Sequence, residues 1–257
     1  MPVLDPLGCT MSKFINFYHK LGSYPWFYKI SSISIPYVFF LSIFLTTLGL
    51  VWGILYAPTD IQQGEVYRII YMHVPAASVS QSIYYTMTVA AVVSIVWKMK
   101  MAGVFIKSMA PIGASFTALA LISGAIWGQP TWGTWWVWDA RLTSTLVLLL
   151  FYLVIIGLYS SFNKKKSADM AVSILTLVGA VNLPIIKKSV DWWNTLHQPA
   201  SIKLTNSSSI APEMLYPLLI SIIGFYLIVL LAGLMSIRAE IAHREINKDW
   251  FKNLGAK

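Results

Sequence analysis

The stretch Trp127-Gly128-Gln129-Pro130-Thr131-Trp132-Gly133-Thr134-Trp135-Trp136-Val137-Trp138-Asp139-Ala140-Arg141 places five tryptophans within twelve residues and closes on an acid and a base. It stands between two apolar runs, residues 109–127 and 142–162. Each run approaches the ~20 residues that carry a helix across a hydrocarbon core. The segment therefore reads as a connection between two membrane spans, at the level where the bilayer meets water. Tryptophan combines a large apolar face with one N–H that must find a partner, so a cluster of five suits a large planar ligand with polar edges. The competing reading is an aromatic belt at the headgroup level, which accounts for one or two tryptophans per helix end.

Four further apolar runs, residues 33–56, 74–97, 170–186 and 214–237, bring the number of spans to six. With 57% hydrophobic residues, 11% charged residues and a mean hydropathy of +0.66, the chain is an all-α polytopic membrane protein. The run 170–186 is short and carries Asn182 and Pro184, which predicts a break or kink near its end. Lys and Arg are retained on the cytoplasmic side during insertion. A cytoplasmic N-terminus puts fourteen bases inside and only Arg68, Arg141, Lys187, Lys188 and Lys203 outside. That places both termini in the cytoplasm and makes the net charge of +9 a product of topology. Membrane lipid headgroups answer such a charge, and no nucleic acid partner is called for.

The absence of internal repeats makes 1–257 a single membrane domain. Residues 1–30 form a cytoplasmic interfacial segment in which Phe14, Ile15, Phe17, Tyr18, Leu21, Trp26 and Phe27 alternate with lysines, and no cleaved signal peptide is evident. Residues 31–237 form the six-helix bundle with outer loops 57–73, 127–141 and 187–213, and residues 238–257 form a cytoplasmic tail. In the third span, Ala110, Ala114, Ala118, Ala120 and Gly124 read as a small-residue face for helix packing. The outer loops hold polar groups, prolines and seven of the eleven tryptophans, so function is expected there.

Of four histidines, the topology puts His19 and His243 inside and His73 and His197 in outer loops with the tryptophans. Two imidazoles flanking an aromatic floor supply the two axial donors of a six-coordinate haem iron. Pro75 is suited to the first position of the second span, which places His73 just ahead of a helix N-terminus, where a neutral imidazole is favoured. The haem propionates need cationic partners, and Arg68 and Arg141 are the outer arginines. Asp139 is placed to orient Arg141 or a tryptophan N–H, and Trp192 and Trp193 extend the aromatic wall near His197. Cys9 is the sole cysteine, so no C-x-x-C-H attachment site exists and the haem is expected to be non-covalent haem b. Zinc is the rival ion, with Asp60, Glu65, Asp139 and Asp191 in the same loops, although two histidines with no thiolate make a poor zinc set. Other classes remain open: a membrane b-type cytochrome, whose paired histidines ordinarily sit within spans, and a permease whose tryptophans are belt alone.

The run Trp132 to Arg141 resembles the tryptophan-rich WWD signature of haem-handling membrane proteins. Within that group the chain is similar to the cytochrome c maturation protein C (CcmC) family. The similarity extends through Met72-His73-Val74-Pro75-Ala76-Ala77 and Asp191-Trp192-Trp193-Asn194-Thr195-Leu196-His197-Gln198-Pro199. The resemblance implies a haem-binding transfer component in the bacterial inner membrane, with its site facing the periplasm. It assigns His73 and His197 as axial ligands and the segment with Trp132, Trp135, Trp136, Trp138, Asp139 and Arg141 as haem platform. It also implies delivery of haem to the chaperone CcmE, and association with the ABC-transporter components CcmA and CcmB and with CcmD. ATP hydrolysis then belongs to a partner, in keeping with a chain that has no Gly-rich Lys-Ser/Thr phosphate loop.

Overall fold

Each of the six apolar runs forms a helix, and most of the helices outlast their runs. In the computed structural model, which describes residues 20, 22–193, 195–197 and 210–254, the spans are Tyr24–Tyr56, Glu65–Trp97, Lys100–Trp132, Ala140–Ser160, Lys165–Trp192 and Pro212–Glu245. The helical elements are α1 (Tyr24–Val51), α2 (Ile70–Trp97), α3 (Lys100–Trp132), α4 (Ala140–Ser160), α5 (Lys165–Ala180), α6 (Asn182–Trp192), α7 (Pro212–Glu245) and the short α8 (Asp249–Lys252). Cys9, His19, Pro199, Lys203 and the aromatic residues expected at the inner leaflet up to Leu21 lie outside the described residues. Trp26 and Phe27 stand in the first turn of α1, where the Ser23 hydroxyl accepts the Trp26 N–H and Pro25 stands just inside the start.

The fifth span breaks at Val181, between α5 and α6. Pro184 has no N–H to offer the Ala180 carbonyl four residues back, and its ring crowds that carbonyl, so the helix restarts instead of continuing. Asn182 makes the break tolerable in an apolar setting by donating to the Ser144 carbonyl of α4 at 2.8 Å. The break expected from Asn182 and Pro184 is therefore present, and the span then runs on to Trp192.

The core lies among α2, α3, α4 and α5, with Tyr84, Met87, Ile106, Leu148 and Tyr152 fully buried. Tyr152 occupies the space left by Gly113 and donates its hydroxyl to the Ser80 carbonyl at 2.7 Å. α1 stands outside this core and packs on α7 through small residues. A Cβ at Gly49 would come within 2.6 Å of the Ser221 amide nitrogen, and one at Gly224 within 2.7 Å of that of Thr46. Backbones this close gain van der Waals contact where lipid supplies no hydrophobic drive.

The two ends of the bundle differ in chemistry. At the end away from the tryptophan segment, Arg244 binds both carboxylate oxygens of Asp169 at 2.8 Å and Glu240 at 2.7 Å, and donates to the Tyr159 hydroxyl at 2.6 Å. Lys107 completes the group on Glu240. Two bases thus neutralise two acids where α3, α4, α5 and α7 converge, which explains how α3 and α7 carry charge inside spanning segments.

Candidate functional site

At the tryptophan end, α2, α3, α4 and α7 line a cavity of about 730 Å³, which holds His73, Trp127, Trp132, Arg141 and His197 in its walls. That volume lies within the ~300–1,000 Å³ of small-molecule and cofactor sites.

His73 is not in a loop ahead of a helix. A 3-10 turn over Glu65–Ile69 leads directly into α2 at Ile70, so His73 is helical and Pro75 is the sixth residue of α2. A proline that early forfeits one backbone hydrogen bond, and the turn it joins buries Ile70 and Tyr71 completely, which offsets the loss. The imidazole Nδ1 lies 3.0 Å from the Ser123 hydroxyl on α3. That hydroxyl sits 2.7 Å from the Leu119 carbonyl and spends its one proton there, so it accepts from Nδ1–H. The ring is then the tautomer whose Nε2 lone pair is available, as a metal ligand requires. Gly124 makes room for it: a Cβ there would meet His73 Cε1 at 3.0 Å. The glycine expected to serve helix packing does so by receiving the imidazole of α2.

His197 follows α6 and lines the same cavity. Its ring centroid lies 6.5 Å from that of His73, with the planes inclined by 36°. Its backbone N–H is held at 3.0 Å by the Thr195 hydroxyl oxygen, and the Thr195 hydroxyl donates to Asp139. The other Asp139 oxygen caps α4 by accepting the Leu142 N–H at 2.7 Å. Among the described residues no three His, Cys, Asp or Glu side chains gather to hold a metal ion, so the two imidazoles have no third such ligand beside them.

The tryptophans divide into two sets. α3 does not stop at Trp127 but continues to Trp132, where Gly133 ends it in the left-handed conformation at φ 77°. Trp127 and Trp132 are thereby helical and face the cavity. Trp127 meets His73 edge-on at 5.6 Å, and Trp132 stands 6.2 Å from His197. Gly128 gives Trp132 its place, since a Cβ there would lie 2.9 Å from the indole. Trp135, Trp136 and Trp138 follow the helix end and do not line the cavity. Trp136 packs edge-on against Trp138 at 5.4 Å, while Trp135 and Trp138 are 61% and 77% exposed. The arginines divide too. Arg141 lines the cavity and donates Nε to Ser189 of α6 at 3.1 Å. Arg68 stands outside the lining, ion-paired with Glu65 and donating to the Gly53 carbonyl at 3.1 Å, where it braces a π-helical turn over Trp52–Tyr56 that ends α1.

Four residues of the site escaped the reading of the sequence: Gln63, Ser123, Ser189 and Thr195. Gln63 accepts the Trp127 indole N–H at 2.7 Å. It is presented by a loop in which Asp60 takes the amides of Gln62 and Gln63 at 2.9 and 2.8 Å and Gly64 turns at φ 60°. Asp60 followed by glycine four residues on is a turn signal that could have been read. The serines and the threonine had none, because their roles depend on which helices meet.

A sequence model described as haem exporter protein C (CcmC) matches residues 17–252. The chain is 49% identical to the haem exporter protein C of Escherichia coli K12 over 236 residues, covering 92% of this chain and 95% of that protein. It is 47% identical to the Haemophilus influenzae protein of that name over 88% of this chain and 92% of the relative, and 39% identical to the one from Paracoccus denitrificans over 86% and 91%. With a match over nearly its whole length and relatives at this level of identity, the chain belongs to the haem exporter protein C family.

Proposed function

We propose that this protein binds haem in the cavity at its tryptophan end and delivers it to the chaperone CcmE in c-type cytochrome biogenesis, working with CcmA, CcmB and CcmD. The observation that carries this reading is the pair of imidazoles in the cavity lining, their ring centroids 6.5 Å apart. Metal–nitrogen bonds of about 2 Å on each side separate the ring centroids of two axial imidazoles by about 6 Å. His73, with Nδ1 engaged by Ser123, offers Nε2 to the iron from one side, and His197 offers its ring from the other. Trp127 and Trp132 supply apolar faces, and Arg141 supplies the cation for a propionate. Arg68 supports the first outer turn from its place on Glu65 and Gly53, and reaches a propionate only by releasing Glu65.

The cargo is haem b held without a covalent bond, and the cavity faces the periplasm across the bacterial inner membrane. Filling both axial positions keeps oxygen away from the iron. Trp135, Trp136, Trp138 and Asp139 then form the outer surface beside the cavity on which the chaperone is received, with Trp135 and Trp138 already exposed for that contact. The chain positions its cargo for transfer, and alignment of reactants alone is worth several kcal/mol of barrier.

The test is the absorption spectrum of the purified protein and its variants. The wild type should show a six-coordinate bis-imidazole haem, His73→Ala and His197→Ala should each lose it, and His243→Ala should keep it. A bis-histidine spectrum that survives the double change His73→Ala with His197→Ala overturns the assignment.

A further inference from the structure

His197 differs from His73 in how it is held. His73 is built into α2, whereas His197 stands in the polar segment after α6, where no helix fixes the backbone. A ligand on such a segment needs an external anchor if its ring is to meet the iron in one orientation. Two hydrogen bonds supply it: the Thr195 hydroxyl donates to Asp139 Oδ2, and its oxygen accepts the His197 N–H at 3.0 Å. Asp139 is held in turn, its Oδ1 accepting the Leu142 N–H at the first turn of α4. The hydroxyl thus works in both directions at once, passing the position of a helix N-terminus to the residue after next.

We propose that Thr195 is a positioning residue for His197, and that the acid closing the tryptophan segment governs haem retention through it. The proposal rests on the reading of His197 as an iron ligand. It gives Asp139 a task that stacking or contact with the chaperone does not cover, and it joins two stretches 56 residues apart in sequence into one ligand-holding device. The donor and acceptor roles are consistent throughout: a carboxylate accepts, a hydroxyl donates and accepts, and an amide donates. A hydrogen bond to a charged group is the stronger kind, which suits an anchor.

The experiment uses the full-length protein loaded with haem and compares Thr195→Val, Thr195→Ser, Asp139→Ala and His197→Ala. Valine keeps the shape of threonine and removes both hydrogen bonds, whereas serine keeps both. Thr195→Val should release haem roughly tenfold faster and shift part of its spectrum toward that of His197→Ala. Thr195→Ser should match the wild type. Free imidazole should restore the six-coordinate spectrum of Thr195→Val, a response that a merely structural threonine would not give. Combining Asp139→Ala with Thr195→Val should add little to the greater single effect, because both remove one chain of bonds. If Thr195→Val keeps the wild-type spectrum and release rate while His197→Ala loses both, the positioning role is wrong and the ligand assignment stands. If His197→Ala itself leaves the spectrum unchanged, the ligand assignment fails and the proposal falls with it.

Discussion

The imidazole Nδ1 of His73 lies 3.0 Å from the hydroxyl of Ser123, a residue of α3 whose own proton is directed to the Leu119 carbonyl at 2.7 Å. A serine engaged in this way favours the tautomer with the proton on Nδ1. Loss of such an outer partner typically costs 10–100-fold in metal affinity. Ser123→Ala should accordingly weaken haem binding by about that factor, with the bis-imidazole spectrum recovered at high haem concentration. Equal titration curves for variant and wild type would show that the tautomer is set by something else.

Gly124 and Gly128 offer a steric test of the same cavity. A methyl group at 124 meets His73 Cε1 at 3.0 Å, and one at 128 meets the Trp132 ring at 2.9 Å and the Thr134 carbonyl at 3.3 Å. Gly124→Ala pushes directly on His73, the proposed ligand, so it should lower haem occupancy severalfold while the helical circular dichroism stays constant. Gly128→Ala displaces only a wall residue and should lower it less. The opposite ranking would refute the importance of ring placement.

The division of the tryptophans predicts two phenotypes. Trp127→Ala and Trp132→Ala remove cavity walls and should reduce the haem that co-purifies. Trp135→Ala and Trp138→Ala alter exposed surface, so haem content should persist while transfer declines. The relevant measurement is covalent haem–chaperone product per haem bound. A constant ratio in all four variants would remove any special role in presentation for the exposed pair.

At the other end of the bundle, Arg244 holds the buried Glu240 carboxylate and the partly buried one of Asp169. Among the described residues, Arg244→Ala leaves Asp169 with no ion-pair partner and Glu240 with Lys107 alone, and breaking a buried ion pair from one side costs about 3–5 kcal/mol. Thermal unfolding in detergent should move to clearly lower temperature, with the haem spectrum of the surviving folded fraction unchanged. Lys107→Ala, whose side chain is more exposed, should cost less. A neutral effect of Arg244→Ala would mean that the cluster contributes nothing to stability.

Orientation is checked by cysteine labelling in a Cys9→Ser background. Ile61, fully exposed in the first connection, and Ser167, exposed at the start of α5, lie at opposite ends of the bundle. Ile61→Cys should react with an impermeant thiol reagent from the periplasmic side, and Ser167→Cys should not. The reverse pattern would put the cavity in the cytoplasm.

The number of spans, their approximate centres and the break in the fifth were legible in the sequence because each depends on local properties: apolar length against bilayer thickness, and a proline without an N–H. The tryptophan segment and both histidines also announced themselves by composition alone. Helix ends did not. Hydropathy marks where a helix leaves hydrocarbon, whereas the helix itself stops where its backbone groups find other partners, as at Gly133, or continues past the apolar run, as at Ile70. Only the tertiary structure separated Trp127 and Trp132, on the cavity, from Trp135 and Trp138, on the surface, since a helix end between them sends neighbours in sequence to different environments. It also set Arg141 toward the cavity and Arg68 onto Glu65 and Gly53, set Gly124 against the imidazole of His73, and brought Thr195 to Asp139. Such pairings join residues tens of positions apart, and their geometry follows from how helices pack, which no local pattern encodes.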